Sequence, residues 1–342
     1  MSLLQGFAHL SPSALADLFE NEEVVSPAST QGLLLSSLAT QSKVLIVTAS
    51  SRKANDLLAE LNAYASEGFL SFPPWETLPH ERLSPRSDTV AKRIITLQTL
   101  SSSRGKEKNW VVVAPIRAAI HKFNKNLVNL EPLKLSRGIE YDLIKLQQDL
   151  VTFAYTRTDL VERRGEFAVR GGIVDIFPPD RSHPIRIDFF GDEIEELKSF
   201  AVADQRTLEL ISDTIEILPC REILLTDEVK QRARDLTSSV NNEILEKIAE
   251  GLQPEGMESL IPILVRELGI ISESMPDKYE TFFIEKERII GRVSDLLATN
   301  EEFLSASWSN AAHGGAAPIH DGAGTYMSWD EFEEDLLKSS IS

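Results

Sequence analysis

Apolar and polar positions along the 342-residue chain fall into three successive rhythms. The opening third is α/β in pattern. Residues 43–48 (KVLIVT) are a short apolar run of buried-strand type, and Ala54, Leu57, Leu58, Leu61 and Tyr64 then recur at helical spacing. Residues 69–72 read as a second strand, followed by a proline-rich connection and a helix from about Asp88 to Leu100. Ser101-Ser102-Ser103-Arg104-Gly105 breaks that helix, and residues 110–114 (WVVVA) form the next buried strand. Strand, helix, strand at this spacing predicts parallel pairing with helical crossovers.

The middle third switches to period two. From Glu166 to Arg170, Phe167 and Val169 point one way and Ala168 and Arg170 the other. Gly171-Gly172 supplies the positive-φ residues of a tight turn, residues 173–177 run back, and Pro178-Pro179 ends the strand because proline cannot donate to a ladder. Ile185, Ile187 and Phe189 then share one face, and Arg186, Asp188 and Phe190 the other. Gly191-Asp192 turns the chain into residues 193–200. With the isoleucines inward, Phe190 is left outside beside Arg186, with Arg170 on the preceding hairpin. Exposed aromatic plus arginine is the composition of interface hot spots. The same alternation also fits Phe190 packed under a neighbouring element with both arginines solvated; it leaves both readings open.

From about Ile215 the pattern turns mainly helical. Residues 227–236 and 240–248 are charged, periodic and amphipathic. Residues 257–268 are another apolar stretch, in which Pro262 suits the first turn of a helix beginning near Leu260. Residues 280–284 read as a strand and 286–297 as a helix. Residues 306–325, rich in Gly, Ala and Ser, read as a loop or linker. Ser328-Trp329-Asp330-Glu331 has the spacing of a capping box opening a helix through Leu337.

Composition narrows the function classes. Length predicts two or three domains, and 42% hydrophobic content is globular. No apolar run is long enough to cross a bilayer, and Met1-Ser2-Leu3-Leu4-Gln5 lacks the basic-then-apolar order of a secretory signal, so a cytoplasmic location is expected. A net charge of −18 repels a polyanion at long range, which favours protein partners over non-specific nucleic-acid binding. Lys122–Lys125 and Arg163-Arg164 are small basic clusters. A lone Cys220 excludes an internal disulfide and a cysteine-rich zinc site, and reads as a small buried hydrophobe.

Catalytic constellations are not found. A phosphate-binding loop needs glycines for close backbone approach, a lysine and a metal-binding hydroxyl. Residues 26–35 (SPASTQGLLL) have one glycine and no lysine, and Gly105-Lys106 lacks the earlier glycine and precedes Glu107. His9, His80, His121 and His183 are isolated, and His313 and His320 fit no common metal spacing. The pairs Glu22-Glu23, Glu195-Glu196 and Glu333-Glu334 are sequence neighbours whose side chains diverge, so they form no acid–base dyad.

The stretch 163–200 (RRGEFAVRGGIVDIFPPDRSHPIRIDFFGDEIEELKSF), continuing through Ala201-Val202-Ala203-Asp204-Gln205-Arg206-Thr207-Leu208, resembles domain 2 of the bacterial transcription-repair coupling factors, relatives of the damage-recognition protein UvrB. Pro74-Trp75-Glu76-Thr77-Leu78-Pro79 and Leu83-Ser84-Pro85-Arg86-Ser87-Asp88 belong to the same resemblance, which is strong over about residues 44–223 and rests on order and length beyond them. It implies an α/β fold with three domains. Residues 1–133 would be domain 1a, a degenerate RecA-like parallel-sheet domain. Residues 134–214 would be domain 2, an inserted small α+β domain of UvrA-binding type, and residues 215–342 domain 1b, mostly helical and packing back on 1a. It implies recruitment of UvrA to stalled RNA polymerase, with Arg170, Arg186 and Phe190 at the positions of the family's UvrA-contacting residues. The arginines would meet acidic groups of UvrA, and Phe190 an apolar pocket between them.

The resemblance also implies no ATPase and no cofactor here. ATP, Mg, RNA polymerase and DNA would engage domains of a longer parent translocase, whose C-terminal domain would mask domain 2. Unlike UvrB, the connection 72–83 carries Trp75 and no tyrosines, so the stacking platform of a DNA clamp is lacking and Trp75 reads as a packing anchor. The alternatives are a degenerate helicase core that keeps nucleotide or weak DNA binding, and a surface that serves mainly for internal masking.

Overall fold

Lys43–Thr48 (β1) becomes a central strand because its apolar run can be buried on both faces. In the computed structural model, which describes residues 24–38, 42–64, 67–78, 81, 83–102, 107–212, 214–237, 242–276, 278–312 and 324–341, Val44 to Val47 are all fully buried. β1 pairs in parallel with Val111–Pro115 (β3), β3 with Phe69–Ser71 (β2), and β1 again with Tyr279–Ile284 (β12), giving the order β12-β1-β3-β2. Helix α2 (Ser51–Tyr64) covers one face through Ala54, Leu57 and Leu61. Helix α3 (Ser87–Ser101) covers the other, where Val90, Ile94 and Leu97 meet Leu45, Val47 and Phe72. Helix α1 (Ala28–Leu38) lies beside α2, with Leu35 in the same core. The protein is thus a mixed α/β fold with a parallel sheet.

The middle of the chain builds a second sheet around its own core. Thr156–Arg157 (β5), Glu166–Arg170 (β6), Ile173–Ile176 (β7), Ile185–Phe190 (β8), Glu193–Phe200 (β9) and Thr207–Leu210 (β10) run in the order β10-β9-β8-β7-β6-β5. All pairings are antiparallel except β5 with β6. Phe167, Val174, Ile176, Ile185, Ile187, Ile194 and Leu197 bury their faces against helix α4 (Leu143–Thr152). The expected alternation is therefore the one formed. Gly171 and Gly191 sit at φ 60 and 62 in the two hairpin turns, whereas Gly172, also expected at positive φ, does not; a glycine is needed there because a Cβ would stand 3.0 Å from the Phe189 carbonyl oxygen. Leu133–Leu135 (β4) pairs antiparallel with Ile215–Ile217 (β11), so entry and exit of this unit are stitched together and its core extends to Cys220.

The last third forms α5 (Asp227–Thr237) and α6 (Glu243–Ala249), which pack together over a third core with Trp75, Met257 and Leu264. Two sequence expectations are corrected here. The helix expected to begin near Leu260 does start there, with Pro262 in its first turn, but it lasts a single turn, Ile261–Leu264 (α7), after a 3-10 turn, Met257–Leu260. The chain turns extended at Val265 (φ −109, ψ 135), because burial of Met257, Leu260, Ile261 and Leu264 against α5 and α6 outweighs helix length. The helix from Lys286 (α8) does not end near Leu297 but runs to Ala312; the alanines of ASWSNAA are strong helix formers. Residues 313–323 of the expected linker lie outside the described residues. The capping box does open α9 (Trp329–Ile341): Glu331 N–H donates to Ser328 Oγ at 3.2 Å and Ser328 N–H to Glu331 Oε2 at 2.7 Å.

Candidate functional site

Pleating places alternate residues of β6 to β9 on the side of the second sheet away from its core. Two cross-strand rows result. One runs Arg170, Ile173, Asp188, Glu196 and the other Asp175, Arg186, Lys198, Leu210. Phe190 stands beyond the first row, at the end of β8 opposite Glu193, and is 78% exposed. Ile173 is 38% exposed and Leu210, on the edge strand, 66%. Packing of Phe190 under a neighbouring element is thereby excluded. A contiguous face carries one fully presented aromatic, two exposed aliphatics and alternating charges.

The three residues singled out in sequence share this face but differ in state. Phe190 is free of contacts that would hide its ring. Arg170 is exposed, and its Nη2 donates to the Asp159 carbonyl at 2.9 Å, which tethers the guanidinium at the rim. Arg186 is committed within the chain. Its Nε and Nη2 donate to Asp175 Oδ1 and Oδ2 at 2.7 and 2.9 Å, a bidentate pair. Its guanidinium carbon lies 4.6 Å from the centroid of the buried Phe200 ring. Hydrogen bonding to Asp175, opposed by partial burial, raises the Arg186 pKa above its usual value. Lys198 bridges to Asp188 at 2.7 Å and also reaches Glu196. Sequence reasoning missed Asp175: the Gly171-Gly172 turn places it opposite Ala168, and its pairing with Arg186 comes from the next pair of strands, whose connection, residues 177–184, is too long to read a register from.

Beneath this unit lies a second cluster that the sequence reading did not find. Arg93 on α3 and Glu222, just past the second core, form an ion pair at 2.5 Å with both side chains 1% exposed. Arg93 Nη1 also donates to the Pro73 carbonyl at 3.0 Å, and its guanidinium stacks over Phe72 at 4.1 Å. Trp75 Nε1–H donates to Glu222 Oε1 at 2.9 Å, and Asn124 Nδ2 to the Glu222 carbonyl at 3.1 Å. Trp75 is buried, so it does act as a packing anchor. His121 lies edge-on to Trp75, ring centroids 4.3 Å apart, and its Nδ1 faces Arg93 Nη2 at 3.4 Å. Burial, reinforced by Arg93 and Arg117, holds His121 well below the usual imidazole range. Nearby, Arg221 meets Glu258 at 3.2 Å, and Glu258 accepts from Ser84 Oγ at 2.6 Å. The strings PWETLP and LSPRSD thus hold the first sheet to the segment leaving the second.

Among the described residues no group of His, Cys, Asp and Glu is arranged to hold a metal ion, and no helix is long and apolar enough to cross a membrane. Cys220 is buried, which pushes its thiol pKa well up. His9, His80, His313, His320 and Gly105-Lys106 lie outside the described residues.

The UvrB interaction domain model matches residues 133–222, the unit bounded by β4 and Cys220. The transcription-repair-coupling factor of Mycobacterium tuberculosis is 41% identical over 314 residues, 86% of this chain and 25% of its own length. That of Escherichia coli is 27% identical over 81% of this chain and 24% of its own length. UvrABC system protein B of Thermotoga neapolitana is 29% identical over 55% of this chain and 27% of its own length. The chain therefore spans about a quarter of the length of the relatives it matches. With a UvrB interaction domain set between a parallel sheet and its returning strand, it fits the N-terminal, UvrB-related region of the transcription-repair coupling factor family, Mfd.

Proposed function

We propose that this region recruits UvrA during transcription-coupled nucleotide excision repair, using the outward face of the six-stranded sheet. The observation that carries the reading is Phe190, 78% exposed on the same sheet face as Arg170 and Ile173, within the segment that matches the UvrB interaction domain. An exposed aromatic among arginines is costly to leave in water and is the residue type that dominates interface energetics. Phe190 fills an apolar pocket of UvrA, Arg170 reaches an acidic group beside it, and Arg186 offers the guanidinium edge that Asp175 leaves unused.

The remaining parts of the reading follow from the resemblance. Residues 1–133 form a degenerate RecA-like domain that has lost its phosphate loop, residues 215–342 form a mostly helical domain packing back on it, and neither carries an ATPase or a cofactor. RNA polymerase, DNA, ATP and Mg engage other domains of a longer, cytoplasmic translocase, whose C-terminal domain covers the UvrA face until activation. A calorimetric titration of UvrA into this chain tests the central point. Phe190→Ala is expected to abolish measurable binding with an unchanged unfolding curve, and unchanged affinity would overturn the reading.

A further inference from the structure

The carboxyl edge of the first sheet carries a basic cavity that UvrA recruitment does not use. β1 lies between two parallel neighbours, β12 and β3. After β1 the chain turns through Ala49 and Ser50 into α2, whose Leu57 and Leu61 pack on the face of Val44 and Ile46. After β12 it turns through Glu285 into α8, whose Ile289 and Val293 pack on the opposite face, that of Leu45 and Val47. Adjacent parallel strands whose helices leave to opposite faces open a crevice at their carboxyl ends, the place where open α/β sheets take ligands. Here that crevice is a cavity of about 360 Å³, lined among others by Ser50, Lys53, Arg288, Gly291, Arg292 and Asp295.

Three cations converge there from two helices, in a chain of net charge −18. Lys53 and Arg288 each stand in the first turn of their helix, where the backbone N–H groups already make the potential positive. A cation in that position is disfavoured unless something negative joins it, and the first turn of α2 holds no acidic residue. Glu285 offsets Arg288 at 2.6 Å, whereas Lys53 Nζ donates to the neutral Gln31 Oε1 at 2.9 Å and has no ion-pair partner among the described residues. The Asp295 carboxylate also lines the cavity, and Arg292, one turn beyond Arg288 on the same helical face, has no ion-pair partner among the described residues. Gly291 adds no side chain to the space, since a Cβ there would meet nothing within 4 Å.

We propose that this crevice binds a phosphate group, held by Lys53, Arg292 and the Ser50 hydroxyl. The volume is at the low end for ligand sites and suits one phosphate with its attached sugar. That phosphate belongs either to a free nucleotide or to a nucleic-acid backbone.

The test is an amide NMR titration of the whole chain at low ionic strength with inorganic phosphate, with AMP and with a single-stranded oligonucleotide of ~10 nucleotides. Saturable shifts confined to Ser50–Ala54 and Lys286–Arg292 are expected with at least one of the three. Tightest binding by AMP identifies a free nucleotide, and tightest, steeply salt-dependent binding by the oligonucleotide identifies a backbone. Lys53→Ala and Arg292→Ala are each expected to weaken binding about tenfold, as loss of a charge-assisted hydrogen bond does, with thermal unfolding and UvrA affinity unchanged. No saturable shift with any of the three, or shifts that persist in the Lys53→Ala/Arg292→Ala double variant, would overturn the proposal.

Discussion

Arg93–Glu222 and Arg186–Asp175 are built from the same parts: a guanidinium, a carboxylate and a phenylalanine ring beneath, Phe72 in one case and Phe200 in the other. They differ in exposure. The first pair is 1% exposed on both sides; in the second, Asp175 is 3% and Arg186 21% exposed. A fully buried pair has surrendered its hydration and can only return that cost through further hydrogen bonding, which is what Trp75 provides to the carboxylate and the Pro73 carbonyl to the guanidinium. Such a pair works as a joint. A pair with its acid buried and its base at the surface works as a mount, fixing a cation in orientation while leaving one edge to meet a partner. The chemistry is common to both regions, and burial decides which use it serves.

The largest expected effect comes from breaking the joint. Glu222→Ala leaves Arg93 charged, buried and unpaired and removes the acceptor of Trp75, so a loss of ~3–5 kcal/mol is expected from urea unfolding. Replacing both partners by apolar residues, Arg93→Met with Glu222→Leu, is expected to recover much of that loss. If the single variant unfolds like the parent, the pair is not a joint.

Phe190→Ala comes next and acts on the other side of the comparison. Truncating a hot-spot aromatic costs ~2 kcal/mol or more of binding, about a thirtyfold loss of UvrA affinity or greater. Its stability effect is expected to stay within ~0.5 kcal/mol, because an exposed ring leaves no cavity when removed. A joint variant should show the opposite split, with stability lost first. A Phe190→Ala chain that loses stability and keeps UvrA binding would erase the distinction.

The contrast between joint and mount also separates what was legible in the sequence from what was not. Period-two alternation around Ile185, Ile187 and Phe189 was enough to put Phe190 and Arg186 on the face away from the isoleucines, since a strand offers only two faces, but whether another element covers that face was not legible. The capping box at Ser328 and the turns at Gly171 and Gly191 were readable because each is a local rule with a local cause. Arg93 and Glu222 are 129 residues apart, and no periodicity links them. A buried arginine looks in sequence like a solvated one until the fold brings its carboxylate. The same holds for β12, which read as an isolated strand but pairs with β1 across more than two hundred residues of intervening chain. The crevice at their ends was invisible for that reason.

Asp175→Asn should give a smaller, mixed result that locates the mount between the two extremes. The amide nitrogen faces a guanidinium donor and breaks one of the two hydrogen bonds, for a stability loss of ~1.5 kcal/mol, within the range for hydrogen bonds to charged groups. Arg186, partly exposed, can then turn to water, which spares the fold further cost. UvrA affinity is expected to fall several-fold even though Arg186 remains, because its orientation is lost. Rescue of affinity in Asp175→Glu, which keeps the charge, would separate positioning from packing.

The smallest effect is a pH dependence that belongs to the joint alone. His121 is buried against Arg93, Trp75 and Tyr326, and its pKa lies well below the ordinary 6.5. Once unfolded, the imidazole takes up a proton as pH falls through about 6.5, while the folded state does not. The unfolded state therefore binds more protons, so stability rises with pH in this window and is lost on acidification below about 6.5, by up to ~1.4 kcal/mol per pH unit. The buried Glu258, whose pKa is raised by burial against the opposing pull of Arg221, runs the other way: the folded state holds its proton longer, so stability falls as pH rises from its ordinary 4.5 to its raised value. A comparison at one pH cannot separate the two, but His121→Asn can, because it keeps an acceptor toward Arg93 and removes only the titration. Urea midpoints measured from pH 7.5 to 5.5 should fall faster for the parent than for His121→Asn, with the two curves converging at the alkaline end apart from a constant offset. Parallel curves across that range would mean that His121 exchanges its proton equally in both states and that the joint is open to solvent.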